Sequence, residues 1–376
     1  MKVVQRVFNL DKEDKDIDFP FEPNVFFIFV SPEFLKTENV VHQLIKKYPD
    51  AYFVGCSTAG EIAGKELMDA TMVVNALRFD KGRLKRSCIS LEDYNMNSRD
   101  VGITISKELD AKDLKHLFVL SDGLEINGED LVSSMSNELS NEVGITGGLA
   151  ADGADFGDTF IITNEGILHK SVVALGFYGE EIKINHGSNG GWDSFGVERS
   201  VTKSDKKIVY EIDGQPALDL YRSYLGDKAK DLPASGLLFP LSIRNTYNEE
   251  PVVRTILGID EDAKSLIFTA NIPENSYVRL MKANVDRLIE GAEQAAHQIV
   301  NEEEFVSAEF ALLISCVGRR LVLKQLTEEE LDAVDEVLGE NVISSGFYSY
   351  GELAPFKRYA PCSLHNQTMT ITTFSE

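Results

Sequence analysis

The sequence is poor in cysteine and has no long apolar run. Its 376 residues include four cysteines, Cys56, Cys88, Cys316 and Cys362, which form no C-x-x-C pair. Widely spaced single cysteines suit a reducing compartment in which thiols stay free. No apolar run approaches the length of a membrane span, and the N-terminus lacks the apolar segment of a signal peptide. We therefore expect a cytoplasmic protein that does not bind membranes.

Basic residues are also few compared with acidic residues. The 61 acidic residues outnumber the 37 basic ones and give a formal net charge of −24. Such a surface repels phosphate backbones, so binding of nucleic acid would need a local basic patch. The one short basic run, residues 81–86, lies between strand-like segments and is predicted to be a solvated turn. We therefore expect no nucleic-acid partner.

Short apolar runs alternate with helical patterns along the chain. The runs at residues 26–30, 51–54 and 72–77 predict three strands, and the same order begins again at 116–120 and at 311–314. Alternation of strands and helices predicts an α/β (α+β) fold, and the recurrence predicts duplication. We expect internally duplicated, mixed β-sheets covered by helices.

Three local patterns add to this prediction. A single helix is expected over Glu33–Lys47. Thr327 and Glu330 have the spacing of a capping box, which would start a helix that Gly339 closes. The glycine-rich segment 187–192, which carries the only tryptophan, is expected to be a flexible loop.

The repeats align on glycine-containing turns. Residues 55–61 read G-C-S-T-A-G-E and residues 346–352 read G-F-Y-S-Y-G-E. The middle repeat keeps Gly148 and Gly153 and has Ala154 in place of the glutamate. Each first strand is followed by a serine (Ser31, Ser121 and Ser315). The repeated spacing predicts a tight exit from a strand, where glycine permits close approach of another backbone.

The same spacing resembles a phosphate-binding P-loop, but the chemistry differs. A P-loop requires Lys and then Ser or Thr after the second glycine. Glu61 and Glu352 stand there instead and would repel phosphate. Two interpretations remain: these carboxylates accept hydrogen bonds from a ligand amine, or they cap neighbouring backbone.

Aromatic residues with polar tips, such as Tyr348 and Tyr350, line small-molecule pockets and cores alike. Cys56 is either a nucleophile or a buried thiol, and the buried thiol is favoured because no activating base is adjacent. We therefore predict no catalytic residue. The predicted ligand-contacting residues are Gly55, Cys56, Ser57, Thr58, Glu61, Tyr348, Tyr350 and Glu352.

The histidines are the candidate ligands for a metal ion or a haem. Residues 362–365 have C-x-x-H spacing without a second chelating pair, so no metal site is predicted. The absence of C-x-x-C-H excludes covalent c-type haem. One histidine in an apolar pocket can hold haem b non-covalently, and His365 and His186 are the candidate ligands. Arg254, Arg319 and Arg320 could face an anionic ligand, and a surface position is the default assignment.

The turns resemble those of the FIST sensory proteins. The resemblance is carried by segments 54–61, 147–153, 216–221, 346–352 and 362–368, in that order along nearly the whole chain. It implies a FIST N-terminal domain over residues 20–210 and a FIST C-terminal domain over 211–376, after an N-terminal extension of residues 1–19. We expect this two-part architecture.

The resemblance also implies a function. FIST proteins are sensory input modules proposed to bind small ligands such as amino acids, and no output domain is visible in this sequence. The resemblance therefore implies a partner signalling protein. Length and architecture are similar to the nitric-oxide-sensing subset (NosP), which binds haem b and regulates a histidine kinase or a cyclic-di-GMP enzyme in two-component signalling. The alternatives are a metabolite sensor without haem, and an enzyme that uses Cys56.

Overall fold

The computed structural model describes residues 1–10, 16–246, 250–302, 305, 307–357 and 359–376. Three units of similar order make up most of it. Each unit has an edge strand, a parallel pair joined through helices, a short hairpin and a last antiparallel strand. Within the described residues, no helix has both the length and the apolar character needed to cross a membrane.

Unit 1 covers the first three predicted strands. Its edge strand lies within the predicted N-terminal extension and pairs along its whole length with the last strand of the unit. The predicted single helix over 33–47 is two helices. Ser31 caps the first of them by accepting a hydrogen bond from the Phe34 amide (3.1 Å). The elements are β1 (Lys2–Asn9), β2 (Val25–Val30), α1 (Pro32–Thr37), α2 (Val40–Lys47), β3 (Tyr52–Ser57), β4 (Glu61–Ala63), β5 (Glu66–Met68) and β6 (Thr71–Arg78).

Unit 2 repeats this order with a helix after its edge strand. Its first parallel strand includes the predicted run 116–120 and extends through Ser121. The elements are β7 (Arg83–Ser90), α3 (Ser98–Leu109), β8 (Leu114–Ser121), α4 (Gly128–Glu138), β9 (Gly144–Leu149), β10 (Ile161–Thr163), β11 (Gly166–Leu168) and β12 (Ser171–Tyr178).

Unit 3 begins with β13 (Lys183–Asn189), which contains half of the segment predicted to be a loop. A separate module of residues 193–283, here called the inserted module, then interrupts the unit. Its elements are β14 (Asp193–Asp205), β15 (Ile208–Ile212), β16 (Gln215–Pro216), α5 (Ala217–Leu225), β17 (Leu241–Arg244), β18 (Val252–Arg254), β19 (Ile256–Asp260), β20 (Ser265–Phe268) and β21 (Tyr277–Lys282).

The rest of unit 3 follows the inserted module. Its long first helix begins after Asn284, whose side chain accepts from the amides of Asp286 and Arg287. The elements are α6 (Val285–Val300), β22 (Phe310–Cys316), α7 (Val317–Leu323), α8 (Thr327–Leu338), β23 (Ile343–Ser349), β24 (Glu352–Pro355), β25 (Cys362–His365) and β26 (Met369–Ser375).

The three units exchange their hairpins in a cycle. Each unit forms a four-stranded sheet whose two central first strands are parallel, as in β2–β3, β8–β9 and β22–β23. The hairpin β4–β5 of unit 1 extends the sheet of unit 3, β24–β25 of unit 3 extends that of unit 2, and β10–β11 of unit 2 extends that of unit 1. The expected duplication is therefore a triplication with interlocked sheets.

A central core forms where the inner faces of the three sheets meet. Phenylalanines from all three units contact one another there, with Phe27 5.3 Å from Phe118 and 6.1 Å from Phe310 between ring centroids. The helices cover the outer faces, and α3, α4, α6 and α8 contribute to a second core. These sheets are buried on both faces, which explains why their strands are continuous apolar runs.

Candidate functional site

The three glycine-containing turns meet at one place. We call residues 55–61, 147–153 and 346–352 the axial turns. Each begins within the last residues of the second parallel strand of its unit and leads toward the exchanged hairpin. Their backbones are joined in a cycle by hydrogen bonds from Ala59 N to Tyr348 O (2.9 Å), from Tyr350 N to Leu149 O (3.4 Å) and from Ala151 N to Ser57 O (2.9 Å). The structure thus brings together residues that the sequence assigned to separate repeats.

One glycine in each axial turn is required by close packing of parallel strands. A Cβ atom on Gly55 would lie 2.3 Å from the carbonyl oxygen of Ile28, and one on Gly346 would lie 1.7 Å from that of Leu313. The equivalent contact in unit 2 is made by Gly147, at 1.8 Å from Val119 O. The predicted alignment of the middle repeat on Gly148, Gly153 and Ala154 is therefore one residue out of register.

Glu61 is completely buried at the start of β4. Its carboxylate accepts hydrogen bonds from the Thr58 hydroxyl and from both the hydroxyl (2.7 Å) and the amide (3.3 Å) of Thr71. Burial raises the pKa of Glu61 to about 7 against these favourable hydrogen bonds. The carboxylate therefore holds the exchanged hairpin to the start of β6, the last strand of its own unit.

Glu352 repeats this arrangement at the start of β24. It is also fully buried and accepts from the Ser349 hydroxyl (2.6 Å) and from the hydroxyl (2.9 Å) and amide (3.2 Å) of Thr368. Burial raises the pKa of Glu352 to about 7 as well. Both glutamates thus occupy the capping role that was one of the two interpretations. Contact of either one with a ligand stays a prediction and would require one of these threonines to be displaced.

Cys56 and Ser57 lie inside the molecule beside these turns. Cys56 is in the central core, where burial holds the pKa of its thiol well above the usual range. The Ser57 hydroxyl accepts from the amide of Phe160 (3.0 Å). A thiol that stays protonated and enclosed is a poor nucleophile, in keeping with the buried-thiol interpretation.

Tyr348 leads to a buried ion pair that the sequence did not reveal. Its hydroxyl donates to Glu330 (2.7 Å), and Glu330 pairs with Arg319 (2.7 Å), with both side chains fully buried. Arg319 also donates to the carbonyls of Gly190 and Leu288 (2.7 Å each), so its surface assignment was wrong. Glu330 therefore forms no capping box with Thr327, and α8 starts without a side-chain cap. Arg319 and Glu330 are eleven residues apart, and this spacing does not by itself predict that they pair.

Tyr350 is the predicted site residue closest to a surface loop. Its hydroxyl donates to the carboxylate of Asp152, which also accepts from the amides of residues 156, 157 and 158. The Tyr350 ring stacks on Phe156, with centroids 4.6 Å apart, and Phe156 is 48% exposed. The loop 152–158 therefore presents an aromatic face to solvent directly above an axial turn. Sequence reasoning missed Phe156 because it lies outside any apolar pattern.

Tyr350 is also connected to the inserted module. The Asn366 side chain donates to the carbonyl of Tyr350 (3.4 Å) and accepts from the Thr269 hydroxyl (2.5 Å). Nearby, Arg254 of the inserted module is buried and pairs with Glu129 (3.0 Å), which corrects its surface assignment. The axial turn of unit 3 and the inserted module are thus connected through the side chain of Asn366.

The two candidate haem ligands lie on strands of different sheets, and His365 is the register partner of Glu352, the last residue of an axial turn. His365 is buried in β25, donates from Nε2 to the Ala354 carbonyl (2.9 Å) and packs against Phe356 at 4.4 Å. Burial lowers the pKa of His365 to about 4, so the imidazole is neutral at neutral pH. Iron ligation through Nε2 would break this hydrogen bond, and the arrangement around His365 does not fit a bound haem.

His186 is half-buried on β13, with its ring 6.2 Å from that of His116. His116 is buried, and its Nε2 contacts the Thr146 hydroxyl (2.7 Å). Burial holds the pKa of His116 well below its usual range. In the part of the chain that the structure describes, no three His, Cys, Asp or Glu side chains are grouped as a metal site.

The fold is a triplicated α+β arrangement with interlocked sheets and with glycine turns at its centre. The chain matches the FIST N domain over residues 24–215 and the FIST C domain over residues 217–355. The protein belongs to the FIST family, whose domains are sensors in signal transduction. It is also similar to an uncharacterized protein of Methanocaldococcus jannaschii, at 25% identity over 369 residues, covering 87% of this chain and 69% of the relative.

Proposed function

We propose that this FIST protein senses a small molecule at the surface formed by Phe156, Tyr350 and the loop 152–158. The observation that carries the proposal is the half-exposed Phe156 ring, which is stacked on Tyr350 and so placed above the joined axial turns. Exposed carboxylates of Asp155 and Asp158 flank it. An aromatic face beside carboxylates favours a ligand with an amine or another cationic group.

The contacts beneath this surface give the signal a route. A ligand that shifts Tyr350 acts on Asn366, which touches the inserted module through Thr269. It also acts on Leu149, whose carbonyl accepts from the Tyr350 amide. A change in one unit is therefore shared with a second unit and with the inserted module, from which a partner signalling protein such as a histidine kinase reads it.

A melting screen tests the proposal. Free amino acids, primary amines and haem b are added to the purified chain and the melting temperature is recorded. A ligand at 100 times its Kd stabilises the folded state by about 2.7 kcal/mol. Phe156→Ala should abolish that stabilisation, and Phe195→Ala, which removes an exposed phenylalanine elsewhere, should retain it. Equal stabilisation of both variants by the same ligand would place the binding site elsewhere.

The same samples test the nitric-oxide sensor. Haem loading should give a Soret band that shifts with nitric oxide if the chain is of that type. The band is compared between His186→Ala and His365→Ala. Because His365 is hydrogen-bonded internally, His186 is the first candidate ligand to test. Absence of the band after loading would remove haem b from consideration and leave the metabolite sensor.

A further inference from the structure

Unit 2 alone has two long loops at the carboxyl ends of its parallel strands. Residues 122–127 lie between β8 and α4, whereas Ser31 alone separates β2 from α1, and α7 follows β22 directly. Residues 150–160 lie between β9 and β10, whereas residues 58–60 and 350–351 make the equivalent connections in units 1 and 3. We call residues 122–127 and 150–160 the paired loops. In open α/β sheets, ligands bind beyond the carboxyl ends of the strands, which is where the paired loops lie.

Asp122 ties the paired loops to each other. Its buried carboxylate accepts a hydrogen bond from the hydroxyl of Thr159 in the second loop (2.9 Å). It also accepts from the amides of Leu124 (2.9 Å) and Glu125 (2.7 Å) in the first loop. The Thr159 hydroxyl in turn accepts from the Gly123 amide (3.1 Å). The two loops therefore form one connected surface.

Both loops contact the ring of Tyr350. Phe156 of the second loop stacks on this ring, with centroids 4.6 Å apart. A Cβ atom on Gly123 of the first loop would lie 3.0 Å from Cδ2 of the same ring. Phe156 is 48% exposed, and Leu124, which follows Gly123, is 37% exposed. Each loop thus presents one large apolar side chain to solvent beside Tyr350.

The hydrogen-bond donors next to the exposed Phe156 ring are already used. Asp152 accepts from the amides of residues 156, 157 and 158 (3.0, 2.7 and 2.7 Å) and from the Tyr350 hydroxyl. Phe156 has a φ of 50°, a left-handed conformation that bulky side chains rarely adopt, and these hydrogen bonds hold it there. A ligand carboxylate at this ring would have to displace Asp152 from these donors.

The paired loops carry acidic side chains and no basic ones. Their sequence contains no Lys, Arg or His, and its acidic residues are Asp122, Glu125, Asp152, Asp155 and Asp158. Asp158 pairs with His169 outside the loops (2.9 Å). Among the residues that the structure describes, the exposed carboxylates of Asp155 and Glu125 have no ion-pair partner. One such carboxylate therefore lies on each loop, next in sequence to the exposed apolar side chain.

We infer that the paired loops select a dication without a carboxylate, in which an apolar chain joins two amine groups. The chain lies against Phe156 and Leu124, and the carboxylates of Asp155 and Glu125 attract the amines. An ammonium group over the Phe156 ring adds a cation–π attraction. The inference rests on the proposed function, because it names the ligand class of that same surface. It disfavours amino acids, whose carboxylate would be repelled by these acidic side chains.

Calorimetric titration of the full chain with three related ligands tests this class. Cadaverine, lysine and lysine methyl ester share one aliphatic chain with two amines, and their carboxyl group is absent, free and esterified, respectively. We expect cadaverine and the ester to bind about 10-fold or more tightly than lysine, because like charges in contact are unfavourable. Pentylamine, which has one amine, should bind about 3-fold or more weakly than cadaverine.

Substitutions locate the binding on the paired loops. Phe156→Ala should abolish cadaverine binding. Asp155→Asn and Glu125→Gln should each weaken it about 3- to 5-fold, the usual size of an exposed ion pair. Glu142→Gln is the matched control, because Glu142 is an exposed carboxylate in the turn before β9, at the opposite end of the same strand. It should bind cadaverine as the unaltered chain does.

The outcomes separate the ligand class from the proposed function. Lysine that binds as tightly as cadaverine, with both lost in Phe156→Ala, would refute the dication and leave the sensor. An ester that binds no better than lysine would refute the role given to the carboxylate. Cadaverine binding that survives Phe156→Ala and both carboxylate substitutions would move the site away from the paired loops. If amines, amino acids and haem all failed to bind, the proposed function itself would be refuted.

Discussion

Replacement of Glu352 by glutamine should change how stability depends on pH. The folded-state pKa of about 7 lies roughly 2.5 units above the ordinary value of 4.5. At 1.36 kcal/mol per unit, ionisation of this one buried carboxyl costs about 3 kcal/mol of folding free energy. Between pH 4.5 and 7 the folded chain keeps a proton that the unfolded chain has lost. The free energy of unfolding therefore falls as pH rises through this window.

Glu352→Gln replaces the ionisable carboxyl group with an uncharged amide and keeps the size and shape of the side chain. At pH 5 the variant should be less stable by about 1 kcal/mol, because its amide group meets the three donors from Ser349 and Thr368. At pH 8 it should be more stable than the unaltered chain by about 2 kcal/mol. The difference between the two proteins thus changes sign between pH 5 and 8.

Urea unfolding followed by tryptophan fluorescence measures this difference. The only tryptophan, Trp192, donates to the Gln367 carbonyl at the junction with the inserted module and reports loss of that contact. Glu329→Gln, at an exposed carboxylate on α8, is the control and should leave the pH profile unchanged. If the free energy of unfolding depended on pH in the same way for Glu352→Gln and the unaltered chain, the argument that burial of Glu352 disfavours its ionisation would be refuted.

Two further substitutions test the framework around the axial turns. Arg319→Leu leaves Glu330 as an unpaired buried charge and should cost about 3–5 kcal/mol, measured by urea unfolding; a loss below 1 kcal/mol would mean that the pair is not enclosed. Gly346→Ala should cost about 2 kcal/mol or more because its Cβ would overlap the Leu313 carbonyl. Gly258→Ala, where the nearest atom is 3.7 Å away, is the control in the same assay, and equal losses in the two would contradict the packing argument.

The strands of the triplicated fold were predictable, and their pairing was not. Continuous apolar runs such as 26–30 and 311–314 identify strands that are buried on both faces. A three-residue strand such as β4 has no pattern that states which sheet it joins. Its position follows from tertiary packing, and so the exchange of hairpins could not be predicted. The register error at Gly148 has the same origin, because only contact with Val119 identifies Gly147 as the equivalent glycine.

The candidate site was predictable in part for a similar reason. Shared spacing identified the turns that meet, including Glu61, Tyr350 and Glu352, because glycine positions record close backbone contacts. Phe156 and the pair of Arg319 with Glu330 depend on partners distant in sequence and leave no periodic signal. Contact of the predicted residues with a ligand stays a prediction.

The exchanged hairpins also order events during synthesis of the chain. Ile62 of β4 and Ser345 of β23 lie 283 residues apart, yet they are joined in one sheet. On the ribosome, β4 and β5 therefore emerge long before the strand that receives them, and they remain an unpaired edge until unit 3 is made. Unit 1 can complete its own sheet earlier, when β10 and β11 of unit 2 arrive. The pairing of β4 with β23 thus completes the cycle of exchanged hairpins. A truncated chain that ends before β23 retains an unpaired strand edge that can associate with other chains.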